Sequence, residues 1–140
     1  MRGEVLLDTG PLVAFLDQRD PYHAWARDAF AEMTPPLLTC EAVVSEACHL
    51  ARRAGQPMHT VFELFNRGAV RVAFRLDNEI PQIASLLDRY ADVPMALADA
   101  CLVRMSEMVT GSTVFTMDSD FRVYRRHRRE PIPLLIPPAR

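Results

Sequence analysis

Short apolar runs and longer amphipathic stretches alternate along this chain. The runs are compact and rich in Leu or β-branched residues, and they predict strands over 4–7, 37–39, 70–74, 113–117 and 133–136. Between them apolar residues recur at helical intervals, predicting helices over Pro11–Asp17, Tyr22–Met33, Cys40–Arg53, Met58–Asn66, Asn78–Tyr90 and Met95–Val109. Punctuation agrees: Pro35-Pro36 precedes the second strand, Gly55-Gln56-Pro57 splits two helices, and Pro94 and Gly111 bracket the last helix. Strands alternating with helices predict an α/β fold with helices on both faces of a mostly parallel, five-stranded sheet, a three-layer sandwich. Ligands of such sheets sit beyond the carboxyl ends of the strands, so acidic residues at those ends draw attention.

At 140 residues and 49% hydrophobic content, one domain spanning 1–140 is expected. No apolar run approaches the ~20 residues of a membrane span. The opening Met1-Arg2-Gly3-Glu4 lacks a secretory layout, so a cytoplasmic protein with no membrane partner is expected. Cys40, Cys48 and Cys101 are odd in number without a C-x-x-C pair, which supports neither a disulfide framework nor a zinc site. Glu46 and His49 have the Glu-x-x-His spacing of di-iron bundles, but that site needs a second copy, which is absent.

The net charge of −2 hides an asymmetry. Residues 1–121 hold 10 Arg against 17 Asp and Glu, whereas residues 122–140 hold 6 Arg against 1 Glu. All 16 basic residues are Arg, so chemistries that rely on an active-site lysine are excluded.

Four places carry the candidate chemistry. Asp8 follows the first strand and opens a helix with Thr9-Gly10-Pro11, where Asp8 or Thr9 is equally suited to cap that helix. Asp118 and Asp120 follow the fourth strand beside Thr116, and either can cap a short helical turn. Asp99 sits among small and apolar residues in Ala96-Leu97-Ala98-Asp99-Ala100-Cys101, and Glu46 sits likewise in Val43-Val44-Ser45-Glu46-Ala47. A charge so placed is costly to bury without a partner, and a metal would supply one. Glu41 is five residues from Glu46, roughly 140° around a helix, so the two cannot face one site. Asp92 precedes Pro94 and is read as a helix-entry residue first and as an outer support of the acidic site second.

Oxygen-only donors suit Mg²⁺ or Mn²⁺ rather than zinc. Such an ion polarises a phosphate and activates water, so metal-assisted phosphodiester hydrolysis is the reaction class implied.

The pieces Leu7-Asp8-Thr9-Gly10-Pro11-Leu12-Val13-Ala14, Val44-Ser45-Glu46-Ala47, Ala98-Asp99-Ala100 and Thr116-Met117-Asp118-Ser119-Asp120-Phe121 stand in the order of the PIN-domain family. Together they resemble most the toxins of VapBC-type toxin–antitoxin pairs, over essentially the whole chain. The resemblance implies a PIN-like sandwich and an endoribonuclease whose acidic quartet is Asp8, Glu46, Asp99 and Asp118, with Asp8, Asp99 and Asp118 on the metal. Asp120 is the alternative fourth acid, and the Thr9 and Thr116 hydroxyls would support the ligands or contact phosphate. It also implies RNA as substrate, a small antitoxin protein as partner, and a two-fold homodimer.

Arg122, Arg125, Arg126, Arg128 and Arg129 with His127 form a basic stretch suited to RNA phosphates, or to an acidic partner peptide. Tyr124 reads as a core or surface tyrosine, or as a base-stacking one. Trp25, Phe30, Met58, Phe62 and Phe65 belong first to the core, and any left exposed would suit a dimer or an antitoxin helix. A phosphoaspartate receiver or haloacid-dehalogenase-like phosphatase also gathers Asp and Mg²⁺ at parallel strand ends, but both need a lysine. A housekeeping RNA-processing nuclease shares these motifs, and a non-catalytic PIN-like module would have lost some of the acids.

Overall fold

Strands buried on both faces must be apolar throughout, and the Leu- and Val-rich runs satisfy this where the sheet needs it. The computed structural model describes residues 3–138, so the ends of the expected 1–140 span lie outside the described residues. In chain order the elements are β1 (Val5–Leu7), α1 (Thr9–Leu16), α2 (His23–Ala31), β2 (Leu37–Thr39), α3 (Glu41–Arg53), α4 (His59–Asn66) and β3 (Val70–Val72). Then come α5 (Ile80–Arg89), α6 (Leu97–Met108), β4 (Thr113–Phe115), β5 (Arg125–Arg126), β6 (Glu130–Pro131) and β7 (Leu134–Leu135), with 3-10 turns at Leu76–Asn78 and Ser119–Arg122.

Five strands form one sheet in the order β3-β2-β1-β4-β7, and every pairing in it is parallel. β1 lies at the centre, with Leu6 opposite Leu38 of β2 and Val114 of β4. Alternation along each strand divides the core between the two faces. Leu6, Leu38 and Val114 pack with Leu102 and Met105 of α6 and with Ile83 and Leu86 of α5. Val5, Leu7, Leu37 and Phe115 face the other way, against Leu12, Trp25, Phe30 and Leu64 from α1, α2 and α4. Trp25 and Phe30 close on Phe115 at 5.2 and 5.4 Å between ring centroids, so these aromatics serve the core as expected. The expected three-layer α/β/α architecture is observed.

Differences from the sequence reading have local causes. α1 begins at Thr9 rather than Pro11, because the Asp8 carboxylate accepts the Thr9 N–H at 2.8 Å and starts the helix two residues earlier. α5 begins at Ile80 rather than Asn78, since Pro81 fixes its first turn and Leu76–Asn78 closes as a separate 3-10 turn. The basic stretch after residue 122 forms an antiparallel ribbon, β5 with β6, that no hydrophobic alternation announced.

This ribbon is tied to the helices beneath it. The Tyr90 hydroxyl accepts the Arg125 N–H at 2.9 Å, and Glu107 Oε2 accepts the His127 N–H at 2.7 Å. Arg104 joins Glu79 at 2.7 Å and Glu107 at 3.1 Å, locking α5 and α6 together below it. On the opposite side, α3 and α4 leave a groove of about 780 Å³ whose walls include Val44, Cys48, Met58, Phe62 and Phe65. Met58 and Phe62 remain 43% and 48% exposed there. No helix among the described residues is long and apolar enough to cross a membrane.

Candidate active site

Parallel pairing brings every strand's carboxyl end to one edge, and the chain places its acids there. A cleft of about 440 Å³ at this edge is lined by Asp8, Thr9, Gly10, Glu46, Leu50, Pro94, Ala96, Asp99, Met117, Asp118 and Asp120. Thus Asp8 from the end of β1, Glu46 from α3, Asp99 from the first turn of α6, and Asp118 and Asp120 from the segment after β4 share one cavity. No basic side chain lines it. Glu41 faces the α3–α4 groove instead, on the side of α3 away from Glu46. Asp92 lies exposed in the turn before α6 and does not line the cleft. Arg122, Arg125 and Arg126 do not line it either.

Three of the acids, Asp8, Asp99 and Asp118, are held by backbone or hydroxyl donors. Asp8 is 7% exposed. Its Oδ1 accepts the Thr9 N–H, and its Oδ2 accepts the Thr116 hydroxyl at 2.6 Å. Thr116 Oγ1 in turn accepts the Asp118 N–H at 3.0 Å, and Asp118 Oδ1 accepts the Asp120 N–H at 2.9 Å to cap the 3-10 turn. A continuous relay therefore runs from β1 through Thr116 to both candidate fourth acids. Asp99 Oδ2 accepts the Ala96 N–H at 3.2 Å, half of a capping box at the start of α6, and the Tyr124 hydroxyl at 3.0 Å.

Tyr124 is fully buried, edge-on to Tyr90 and Phe121 at 5.1 and 5.2 Å. It is therefore a core tyrosine, not one available for stacking on a base. Nothing in its sequence surroundings linked it to Asp99, 25 residues away. Gly10 is a second contribution that sequence left unmarked: a Cβ there would meet the Met117 Cβ at 3.2 Å, so its bareness lets the segment carrying Asp118 lie against α1.

Burial, and after it the crowding of like charges, shows in the protonation equilibria. Burial raises the Asp8 carboxyl to about 6; the Thr116 and Thr9 hydrogen bonds oppose this, and the Asp99 and Glu46 charges add to it. Glu46 is raised by desolvation and then by Asp99 and Asp118. Asp99 is raised by desolvation, with Asp118 and Asp120 adding to it against the Ala96 and Tyr124 hydrogen bonds. Burial and the Asp99 charge push the Tyr124 hydroxyl well up, so it stays protonated and donates.

Oxygen donors alone, mutually repulsive and partly desolvated, fit a hard divalent cation. Thr9 supplies an independent sign, since its Oγ1 is buried in the cleft wall with no hydrogen-bond partner among the described residues. Such an orphan costs about 1–3 kcal/mol unless something enters to meet it. Among the described residues no three His, Cys, Asp or Glu side chains are gathered closely enough to enclose an ion unaided.

The Asp8 shift has a thermodynamic consequence. A carboxyl whose folded pKa, about 6, exceeds its unfolded value of 3.8 binds its proton more tightly when folded. Its contribution to stability is fully present below pH 3.8 and is lost as pH rises through about 6. Asp8→Asn removes this penalty, so in EDTA the variant should gain on the wild type across that window, reaching on the order of 2–3 kcal/mol at neutral pH. Urea denaturation at stepped pH measures the difference, and a gap that stays flat with pH would contradict the assignment.

Comparison with known proteins gives the same picture. The PIN domain family matches residues 5–126. Ribonuclease VapC26 of Mycobacterium tuberculosis (strain ATCC 25618 / H37Rv) is 29% identical over 125 residues, covering 88% of this chain and 88% of that protein. The crystal structure of Mycobacterium tuberculosis VapC20, a sarcin-ricin loop cleaving toxin, aligns with a TM-score of 0.72. It covers 91% of this chain and 100% of that chain at 21% identity, a likeness of fold. With the family match spanning four of the five parallel strands and all the acids at their carboxyl edge, the chain belongs to the PIN-domain family.

Proposed function

We propose that this protein is a Mg²⁺- or Mn²⁺-dependent endoribonuclease, the toxin of a toxin–antitoxin pair, acting in the cytoplasm on RNA phosphodiester bonds. The observation that carries this reading is the single cleft in which acids from β1, α3, α6 and the end of β4 meet without a cation among them. Its naming as a toxin draws on VapC26 and VapC20, which are a ribonuclease and an RNA-cleaving toxin by name.

Asp8, Asp99 and Asp118, with Asp120 as the alternative to Asp118, are the acids that would contact the ion, directly or through its waters. When bound, the ion supplies Lewis-acid polarisation of the scissile phosphate and activation of a water. Glu46, the most exposed of the four on the cleft wall, orients that water by accepting its hydrogen bond. The Thr9 hydroxyl, buried without a partner among the described residues, would be available to donate to a phosphate oxygen. Thr116 keeps Asp8 and the Asp118 segment in register, and Tyr124 fixes one oxygen of Asp99 so that the other faces the cleft.

Cleavage of a labelled RNA pool with Mg²⁺, Mn²⁺ or EDTA is the direct test. Asp8→Asn and Asp99→Asn should each lower metal-dependent cutting by more than about a hundredfold, beyond the 10–100-fold typical of groups one step removed from a metal. Activity equal to wild type in both variants would sink the site. Tyr124→Phe removes only the hydrogen bond to Asp99. It should weaken Mn²⁺ binding by about tenfold, read by paramagnetic resonance, while the circular dichroism spectrum stays native.

An antitoxin helix is the occupant we assign to the α3–α4 groove: Met58, Phe62 and Phe65 offer apolar anchors, and Arg52 on the wall would meet an acidic flank. The homodimer then uses another surface. Growth arrest on expression should be relieved by co-expression of a cognate antitoxin, and Phe62→Glu should abolish the relief without abolishing the arrest. Conversion of a dimer to a monomer by Phe62→Glu in light scattering would instead assign the groove to a second copy.

A further inference from the structure

The cleft has acids to hold an ion but no cation to hold an RNA backbone, so phosphates flanking the cut must be gripped elsewhere. The arginines of residues 122–129 are the obvious source, yet the structure divides them by what they touch. Arg125 folds back onto the carbonyls of Arg122, Val123 and Tyr124 at 2.6, 3.3 and 3.0 Å, closing the 3-10 turn. Arg126 is paired with Glu130 across the ribbon at 3.2 Å. Both are therefore spent within the chain. Arg128 and Arg129 are exposed, with no carboxylate partner among the described residues.

Arg128 does not stand alone. With His127 from the ribbon and Gln82, Ser85 and Arg89 from α5 it lines a hollow of about 380 Å³. The one acid on that wall, Glu107, is already committed to the His127 N–H and to Arg104. Arg89 is exposed and anchored over the Tyr90 ring at 5.9 Å. At the ribbon tip, His127 and Arg128 adopt left-handed backbone with φ of 48° and 70°, a region where glycine is the ordinary occupant. A chain that keeps a histidine and an arginine there accepts strain to present them, and strain of this kind clusters at binding sites.

The position of the hollow relative to the cleft fixes the kind of ligand. Tyr124, just before the ribbon, touches Asp99 at the start of α6, while His127 at the tip touches Glu107 near its end. Eight residues of helix separate these anchors, roughly 12 Å at 1.5 Å per residue. An RNA held at both points must lay phosphates along the side of the molecule while its scissile bond reaches the sheet edge. Folded RNA offers such an array, and its helices are read mainly through phosphate and sugar contacts.

Resting on the ribonuclease reading, we infer that Arg89 and Arg128, with His127 beside them, form a phosphate-binding site, separate from the acidic cleft, that grips the stem of a folded RNA beside the cut. The test compares Arg89→Ala/Arg128→Gly with the parent. The glycine suits the left-handed backbone, so a loss cannot be laid to strain at the tip.

Binding of a fluorescent RNA stem-loop is measured on the Asp8→Asn background over a salt series, and cleavage of that stem-loop and of a linear hexanucleotide is measured on the active background. The double variant should bind the stem-loop about tenfold more weakly and lose about 1.5–2 from the slope of log affinity against log salt, as expected for two lost phosphate contacts. Its KM should rise more for the stem-loop than for the hexanucleotide. Unchanged stem-loop affinity and slope would overturn the site even if the wild type cuts RNA normally. A wild type that binds through these arginines but cuts neither RNA would count against the nuclease reading and leave the site standing. Loss of affinity for the antitoxin alone, with RNA binding intact, would overturn the site in favour of an acidic protein contact.

Discussion

The hydrogen bond from Thr116 to Asp8 is the contact on which the candidate site depends. It spans 108 residues of sequence and joins the ends of the two central strands. Because Thr116 also accepts the Asp118 N–H, one hydroxyl sets the position of Asp8 and the path of the segment that carries Asp118 and Asp120. Leu7 pairs with Phe115 in the ladder immediately before these residues, so the sheet register and the carboxylate spacing are the same fact seen at two scales. A one-residue slip of β4 would turn Phe115 out of its aromatic cluster and carry Thr116 away from Asp8.

Electrostatics then divides the molecule. Carboxylates brought together at one edge raise one another's pKa and disfavour the empty site, a penalty a bound cation reverses. The hydrogen bonds around Asp8 and Asp99 work in the opposite direction, favouring the ionised forms that a metal needs. Basic side chains near these acids would compete with the ion, and the cleft has none. The arginines concentrated after residue 122 thus lie apart from the acids of the cleft.

Much of this was legible in the sequence because the relevant signals are local. Five apolar runs and six amphipathic stretches mark the sheet and its helices, since parallel strands must be apolar on both faces and helices on one. Asp8 and Asp118 could be placed at strand ends, and their alternative role as caps proved compatible with lining the cleft: each does both, because a carboxylate has more lone pairs than its cap consumes. What was not legible depends on contacts between distant segments. The ribbon has no alternation to reveal it and is fixed by Tyr90 and Glu107 from other elements. Arg125 and Arg126 read as free cations, but their guanidinium groups close the chain on itself. Asp92, read as a helix-entry residue first and as an outer support of the site second, lies exposed in the turn before Pro94 and does not line the cleft.

Tyr124 shows why cleft and ribbon are better regarded as one device than as two. Its ring is wedged between Tyr90 and Phe121, and its hydroxyl ends on Asp99. The next residue, Arg125, begins the ribbon and hangs from the Tyr90 hydroxyl. Any displacement of the ribbon must therefore be absorbed by two packed aromatic rings before it reaches Asp99, and a close-packed core resists such displacement. An RNA gripped at the ribbon, as proposed, would consequently be held at a fixed distance from Asp99. On the proposed reading, a binding contact on α5 and the ribbon would register the scissile bond at the sheet edge, with no moving part required.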